Sequence, residues 1–240
     1  MTTNMYLNGL PSGMKRMILS FLTVIALFTN VFAVEVGSFF GEGTHSRKAV
    51  SLTFDDGPGP YTERILEVLK RYGIKATFFM EASQVEIRPD KARHVMADGH
   101  EIGGHSYSHP DFYHYKKDDK GRFLAKEIDK SNAIFDKVLG KRPAIMRMPY
   151  GYVKPWVKQV AKEKGLILIN WSFGCDWKKM TKEDLARAYI SSIHSGAIFL
   201  MHDGGKNRQT TLDALPEIID ALKNRGYEIL PAGELLGLNK

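Results

Sequence analysis

The period of the apolar positions changes repeatedly along this chain, and each change marks an element. Residues 49–54, reading AVSLTF, form a β-rich and largely apolar run of the kind found in buried strands. Between Tyr61 and Tyr72 the pattern changes: Ile65, Leu66, Val68 and Leu69 recur at helical spacing, and Gly73 follows, the residue that favours the position past a helix end. The alternation then continues, with strands predicted at 76–80, 100–103, 144–148, 166–171, 197–201 and 227–230. Helical patterns lie at 90–97, 121–139, 155–164, 181–194 and 212–224. Gly140 closes the helix at 121–139, Pro155 suits a first helical position, and Thr181 with Asp184 three residues on resembles a capped start.

Strand, helix and strand in this order call for right-handed crossovers and a parallel sheet, either open or closed into a barrel. Seven such units favour a closed or nearly closed α/β barrel. In these folds the working residues lie just beyond the C-terminal ends of the strands. Polar residues fall there five times: Asp55 and Asp56 after the first strand, His105 and His109 after the third, Arg147 at the end of the fourth, Asp176 after the fifth and His202 after the sixth.

The N-terminus reads differently. Met14-Lys15-Arg16 precedes an apolar stretch running to about Thr29, and Val31-Phe32-Ala33 places small residues where a signal peptidase would cut. Extended to Val34, the stretch approaches the length of a membrane span, so residues 1–34 are expected to be a signal peptide or an N-terminal membrane anchor. Either reading exports the remainder, to the periplasm, the medium or the outer face of the cytoplasmic membrane. Met14 is itself a plausible start. Residues 35–48 are expected to be a linker, and 49–240 one catalytic domain, a length sufficient for a sizeable core.

Subtracting the leader's Lys15 and Arg16 from the formal charge of +7 leaves +5 without a basic run, which suits an anionic envelope polymer or simply a lysine-rich surface. Nothing marks a nucleic-acid binder. Cys175 is the one cysteine, which excludes an intramolecular disulfide and reads as a small buried side chain. The oligomeric state has no sequence signal.

The chemistry concentrates in two segments. In Thr53-Phe54-Asp55-Asp56-Gly57-Pro58, two carboxylates meet at a strand end where glycine and proline turn the chain. Adjacent strand residues face opposite ways, but a turn can bring both to one rim, and like charges so close favour a neighbouring cation. Taken alone, this is equally an ordinary turn before a helix. His105-Ser106-Tyr107-Ser108-His109 spaces two imidazoles by four, so that one helical turn would present both on one side. Such a pair is often a surface feature. With a carboxylate from a neighbouring strand it makes a three-ligand set with open positions, the arrangement of a catalytic metal site.

Five segments in order, Thr53 to Gly57, His105 to His109, Arg147 to Gly151, Asp176-Trp177 and Leu200 to His202, resemble the motifs of the polysaccharide deacetylase family, carbohydrate esterase family four. The resemblance covers roughly 49–236 and implies a distorted (β/α) barrel with about seven parallel strands. It also implies removal of N-acetyl groups from N-acetylglucosamine units of a polysaccharide, peptidoglycan or chitin-like, by attack of a metal-bound water. Asp56, His105 and His109 would bind one divalent ion, most commonly Zn2+ in the family, with Co2+ or Mn2+ as alternatives. Asp55 would be the general base, paired with Arg147, and His202 would protonate the leaving amine with Asp176 beside it. The backbone N–H of Tyr150 would meet the oxyanion, and Trp177 and Leu200 would line a slot for the acetyl methyl. Two positions depart from the pattern: Met148 stands where the family often has proline, and Phe173-Gly174-Cys175 lacks an aspartate usual in the fourth motif. The remaining histidines, His45, His94, His100, His114 and His194, match no motif and read as surface or core. Two other functions use the same residues or fewer: an O-acetyl esterase of the xylan type, and a catalytically silent carbohydrate-binding relative.

Overall fold

The computed structural model describes residues 34–238, so the leader expected at 1–34 lies outside the described residues except for Val34. Among those residues no helix is long and apolar enough to cross a membrane. The first element is a two-residue strand, β1 (Phe39–Phe40), and β2 (Ala49–Gly57) and α1 (Thr62–Tyr72) follow. The chain continues through β3 (Thr77–Met80), α2 (Ala82–Ile87), α3 (Pro89–Ala97), β4 (Glu101–Gly104) and α4 (Lys120–Leu139). Beyond β5 (Ile145–Met146), a 3₁₀ turn (Pro149–Gly151) leads into α5 (Pro155–Glu163), β6 (Ile167–Ile169) and β7 (Phe173–Gly174). The last elements are α6 (Lys182–Ser191), β8 (Ile198–His202), α7 (Gln209–Asn224), β9 (Glu228–Ile229) and α8 (Ala232–Leu235).

All pairings are parallel, in the order β1-β6-β5-β4-β3-β2-β8-β7, with β9 added beside the start of β2. The sheet curls into a half-barrel wrapped by helices, the distorted form of the expected α/β barrel. Among the described residues it does not close, because β1 and β7 stand at its two edges. Outside the curl, the apolar faces of α1, α6 and α7 bury Leu66, Leu69, Leu185, Leu215 and Ile219 against Leu52, Phe54, Phe78 and Phe199 of the sheet. At the N-terminal end of the strands, Ala232 and Leu235 of α8 pack on Ala49, Ile145 and Ile198. The Ala232 amide donates to Thr77 Oγ1 at 2.7 Å and the Gly233 amide to Glu101 Oε2 at 2.9 Å, so that end is plugged. The C-terminal end is left for chemistry.

Local signals account for most boundaries. Gly73 and Gly140 take left-handed φ of 66° past α1 and α4, and Thr181 Oγ1 accepts from the Asp184 amide at 3.1 Å to start α6. Cys175 is free and buried, as its apolar surroundings predict. The structure departs from the sequence pattern where elements are too short to carry a period. The segment expected as a linker, 35–48, contributes β1, which pairs with β6. Helix α2 and strand β7 fall inside segments without any period. The strand expected at 144–148 shortens to Ile145–Met146, because Pro149 has no amide to pair and the chain turns there.

Candidate active site

Asp55 and Asp56 reach the same rim through a specific backbone device. Between β2 and β3 the register shifts across Asp55 to Gly57, a bulge, and Asp56 sits at φ 67°. Without that reversal Asp56 would face away from Asp55. Across β2 the partner strand brings His202 opposite Asp55.

The two histidines of the third segment do not lie on a helical turn, as their spacing suggested. Residues 105–109 form a loop in which Ser106 has φ 62° and His109 φ 53°. Nevertheless the loop delivers both rings to Asp56. His105 Nε2 lies 3.6 Å and His109 Nε2 3.5 Å from Asp56 Oδ1, and one ligand atom from each residue lies within 4.8 Å of the others. These separations are too long for hydrogen bonds, yet ligands about 2.1 Å from a tetrahedral ion lie about 3.4 Å apart.

The donor chemistry fits a divalent cation. His105 Nδ1 stands 2.7 Å from the Arg147 carbonyl, which can only accept, so Nδ1 carries the hydrogen and Nε2 presents its lone pair to the site. Burial pushes the His105 pKa down to about 3, against the pull of Asp56, so its ring is neutral. Asp56 Oδ1 is buried with no hydrogen-bond partner. A buried carboxylate oxygen without a donor, facing two imidazoles, is costly unless a cation lies among them.

Asp55 is held from the other side. Arg147, fully buried, donates from Nη1 to Asp55 Oδ1 at 2.7 Å and to Thr53 Oγ1 at 2.8 Å. Its Nε donates to the Ile169 carbonyl at 3.1 Å and its Nη2 to that of Asn170 at 2.8 Å, while the guanidinium lies 4.1 Å over the Phe79 ring. Four of its five hydrogens are thereby committed, which fixes Oδ1 and leaves Asp55 Oδ2 directed toward His105 Nε2, 3.8 Å away. Burial raises the Asp55 pKa from its ordinary value, and the Arg147 and His202 charges oppose that rise.

His202 has the opposite environment to His105. Its Nδ1 bonds Asp176 Oδ1 at 2.7 Å, and its amide donates to Asp176 Oδ2 at 2.9 Å. Burial acts to lower the His202 pKa, but the hydrogen bond and charge of Asp176, helped by Asp55 and Asp56, carry it above the ordinary value. The fourth segment therefore brings its aspartate into place without the second aspartate usual in that motif. Trp177 is half exposed with its ring edge-on to His202, centroids 6.0 Å apart, and Leu200 is buried on the same face of β8 as His202. Gly174 lies between them, where a Cβ would come within 2.8 Å of Leu200 and 3.2 Å of Trp177. Tyr150 is exposed at φ 56°, its ring edge-on to His109.

Asp56, Ser106, His109 and Tyr150 are the non-glycine residues with positive φ among the described residues, and all four belong to this rim. Each such conformation costs roughly 1–2 kcal/mol. Several contributing groups carry no sequence signal. Thr211 on α7 donates to Asp176 Oδ2 at 2.9 Å, and Arg208 Nη2 approaches Asp56 Oδ2 at 3.8 Å. Asp203 is fully buried against Gly57 and accepts from Thr62, and burial together with Asp56 pushes it up to about 7. Glu81 at the end of β3 is likewise raised to about 7, chiefly by burial and then by Asp56. Of these, Asp203 and Glu81 were findable only as polar residues beside a strand end. His100 is buried at the start of β4, while His45, His94 and His114 lie on the surface.

Comparison with known proteins bears on the family and the fold. The family model described as polysaccharide deacetylase matches residues 42–169. A Bacillus cereus peptidoglycan-N-acetylglucosamine deacetylase is 35% identical over 199 residues, covering 81% of this chain and 91% of the relative. The crystal structure of the Bc1960 peptidoglycan N-acetylglucosamine deacetylase, in complex with a naphthalenyl N-hydroxybenzamide, superposes with a TM-score of 0.78 at 30% identity, over 85% of this chain and 95% of that one. The wild-type structure of BA3943 from Bacillus anthracis, a pseudoenzyme of carbohydrate esterase family four, gives 0.76 at 29% identity over 84% and 70%.

Proposed function

This chain belongs to the polysaccharide deacetylase family, and from that premise we propose that it is an exported hydrolase removing N-acetyl groups from N-acetylglucosamine units of peptidoglycan. The reading rests above all on one observation: an unpartnered Asp56 oxygen facing two imidazoles, beside an Asp55 carboxylate that Arg147 pins in place. A chitin-like oligomer is the second substrate class. Fold likeness extends equally to a pseudoenzyme, so the choice of an active enzyme rests on this chain's own base, ligand set and acid.

Asp56, His105 and His109 would hold a divalent ion, zinc by family habit or cobalt or manganese in its place. Such an ion supplies Lewis acidity and lowers the pKa of a water from 15.7 toward about 7. Asp55 Oδ2, free of Arg147, takes the proton from the attacking water. The Tyr150 N–H donates to the developing oxyanion, and Trp177 with Leu200 encloses the acetyl methyl. His202 Nε2, with Asp176 holding Nδ1, then protonates the departing amine as the C–N bond breaks, giving acetate and a free amino sugar. Export is supported by the basic and apolar pattern after Met14.

The test is release of acetate and of free amine from peptidoglycan, chitooligomers and acetylated xylan, with and without chelator, against Asp55→Ala. Equal acetate and amine from peptidoglycan, lost on chelation and restored by zinc, is the expected result. Acetate without amine would replace the proposal by an O-acetyl esterase, and no product from any polymer would leave a binding protein.

A further inference from the structure

Glu127, on α4, takes no part in the chemistry derived above and yet addresses the metal-site loop directly. Its carboxylate is buried, with Oε2 accepting from the Tyr107 amide at 3.1 Å and the Ser108 amide at 2.8 Å, and Oε1 accepting from Ser108 Oγ at 3.0 Å. The loop has no ladder of its own, so each of its backbone groups must find a partner elsewhere. On one side the Ala82 and Ser83 amides of α2 donate to the Ser106 and Tyr107 carbonyls at 3.0 and 3.1 Å. His109 is tied within the loop, its amide donating to Ser106 Oγ at 3.0 Å. The amides of Tyr107 and Ser108, at the centre of the loop, are both received by Glu127. Those groups lie between Ser106 and His109, two residues held at left-handed φ, a conformation that persists only when its surroundings impose it.

We infer that Glu127 is a positioning residue for the metal: by accepting the Tyr107 and Ser108 amides it holds the loop in the one conformation that aims His105 and His109 together at Asp56. The inference rests on the metal reading of that triad. Two ligands of the three arrive on this loop, and the third, Asp56, arrives on β2. Freed from Glu127, the loop relaxes its left-handed residues, His109 swings away from Asp56, and the ion is held by fewer groups.

Zinc affinity tests this without relying on turnover. Full-length wild type, Glu127→Ala, Glu127→Gln and His109→Ala are titrated with Zn2+ against a chromophoric chelator, with thermal melts recorded alongside. Glu127→Ala should bind zinc about 10- to 100-fold more weakly, as is usual when a group supporting a ligand is removed. Glu127→Gln should stay close to wild type, because its carbonyl can accept both amides and its NH2 can donate to Ser108 Oγ. Acetate release by Glu127→Ala should return as zinc is raised, which a generally loosened fold would not produce. Unchanged zinc affinity in Glu127→Ala, alongside a loss in His109→Ala, would overturn this inference alone. A wild-type chain that holds no zinc would sink the metal reading and this inference with it. Should Glu127→Ala fail to fold, Glu127→Asp keeps the charge one methylene short. The inference then requires weaker zinc binding from that variant, and wild-type affinity would refute it.

Discussion

His105 and His202 stand on opposite sides of Asp55, and the protein treats them oppositely. At His105 burial dominates, the Nδ1 hydrogen goes to a backbone carbonyl, and the ring stays neutral with its lone pair facing Asp56. At His202 the same burial is outweighed by a carboxylate on Nδ1, and the ring holds its proton more tightly. One neutral carbonyl and one charged carboxylate thus give one residue type two protonation preferences, which suit His105 to the proposed ligand role and His202 to the proposed acid role. Titratable groups driven apart in this way mark the division of labour at a site.

The strongest way to break the comparison is to remove each ring. His202→Ala should lower kcat by about 10²–10⁴-fold while zinc content stays at wild type. His105→Ala should lose activity and zinc together, so metal analysis beside kinetics separates the two stations. Next comes Arg147→Met, which leaves the Asp55 carboxylate buried without its partner and should destabilise the fold by about 3–5 kcal/mol in denaturant unfolding. A loss under about 1 kcal/mol would mean that the pair is not what holds Asp55.

Asp176→Asn sharpens the comparison rather than breaking it. In the proposed mechanism His202 acts in its protonated form, so activity should fall as pH rises through its pKa. Removing the carboxylate that raises that pKa should move the basic limb of the kcat profile to lower pH, and an unmoved limb would assign it to another group.

The smallest effect concerns His100, buried like His105 but remote from the chemistry, with its Nδ1 accepting the Ala76 amide at 3.1 Å. Burial lowers its pKa to about 4 from the ordinary 6.5. Between those values the unfolded chain binds a proton that the folded chain refuses. His100 therefore leaves stability intact above pH 6.5 and subtracts from it as pH falls toward 4, by at most about 1.4 kcal/mol for each pH unit. His100→Asn should flatten that part of the stability curve, and an unchanged slope would place the acid sensitivity elsewhere.

The ring of candidate residues was legible because each follows an apolar, β-rich run in the sequence, even where the strand itself is as short as Ile145–Met146. Asp55, Asp56, His105, His109, Arg147, Asp176 and His202 all converge in the structure. The conformations that make them converge were not legible. A register shift at Asp56 and left-handed φ at Ser106 and His109 leave no trace in periodicity, which is why a helical turn was expected at 105–109. Nor was the support from afar: Glu127, Thr211 and Arg208 lie on helices or in loops whose polar residues look like solvated surface until the fold turns them inward. Pairing also hid β1 and β7, since two residues that join a sheet edge need a neighbour rather than a pattern.

The four left-handed residues around the rim have a consequence for anyone wishing to toughen this protein. Glycine adopts such φ without steric penalty, so Ser106→Gly and Tyr150→Gly would relieve tension in the native chain, though they would also loosen the unfolded one. The relief would come from the very bends that present the proposed catalytic groups. Heat resistance is better sought on the far side of the barrel, where packing can be changed without disturbing turnover.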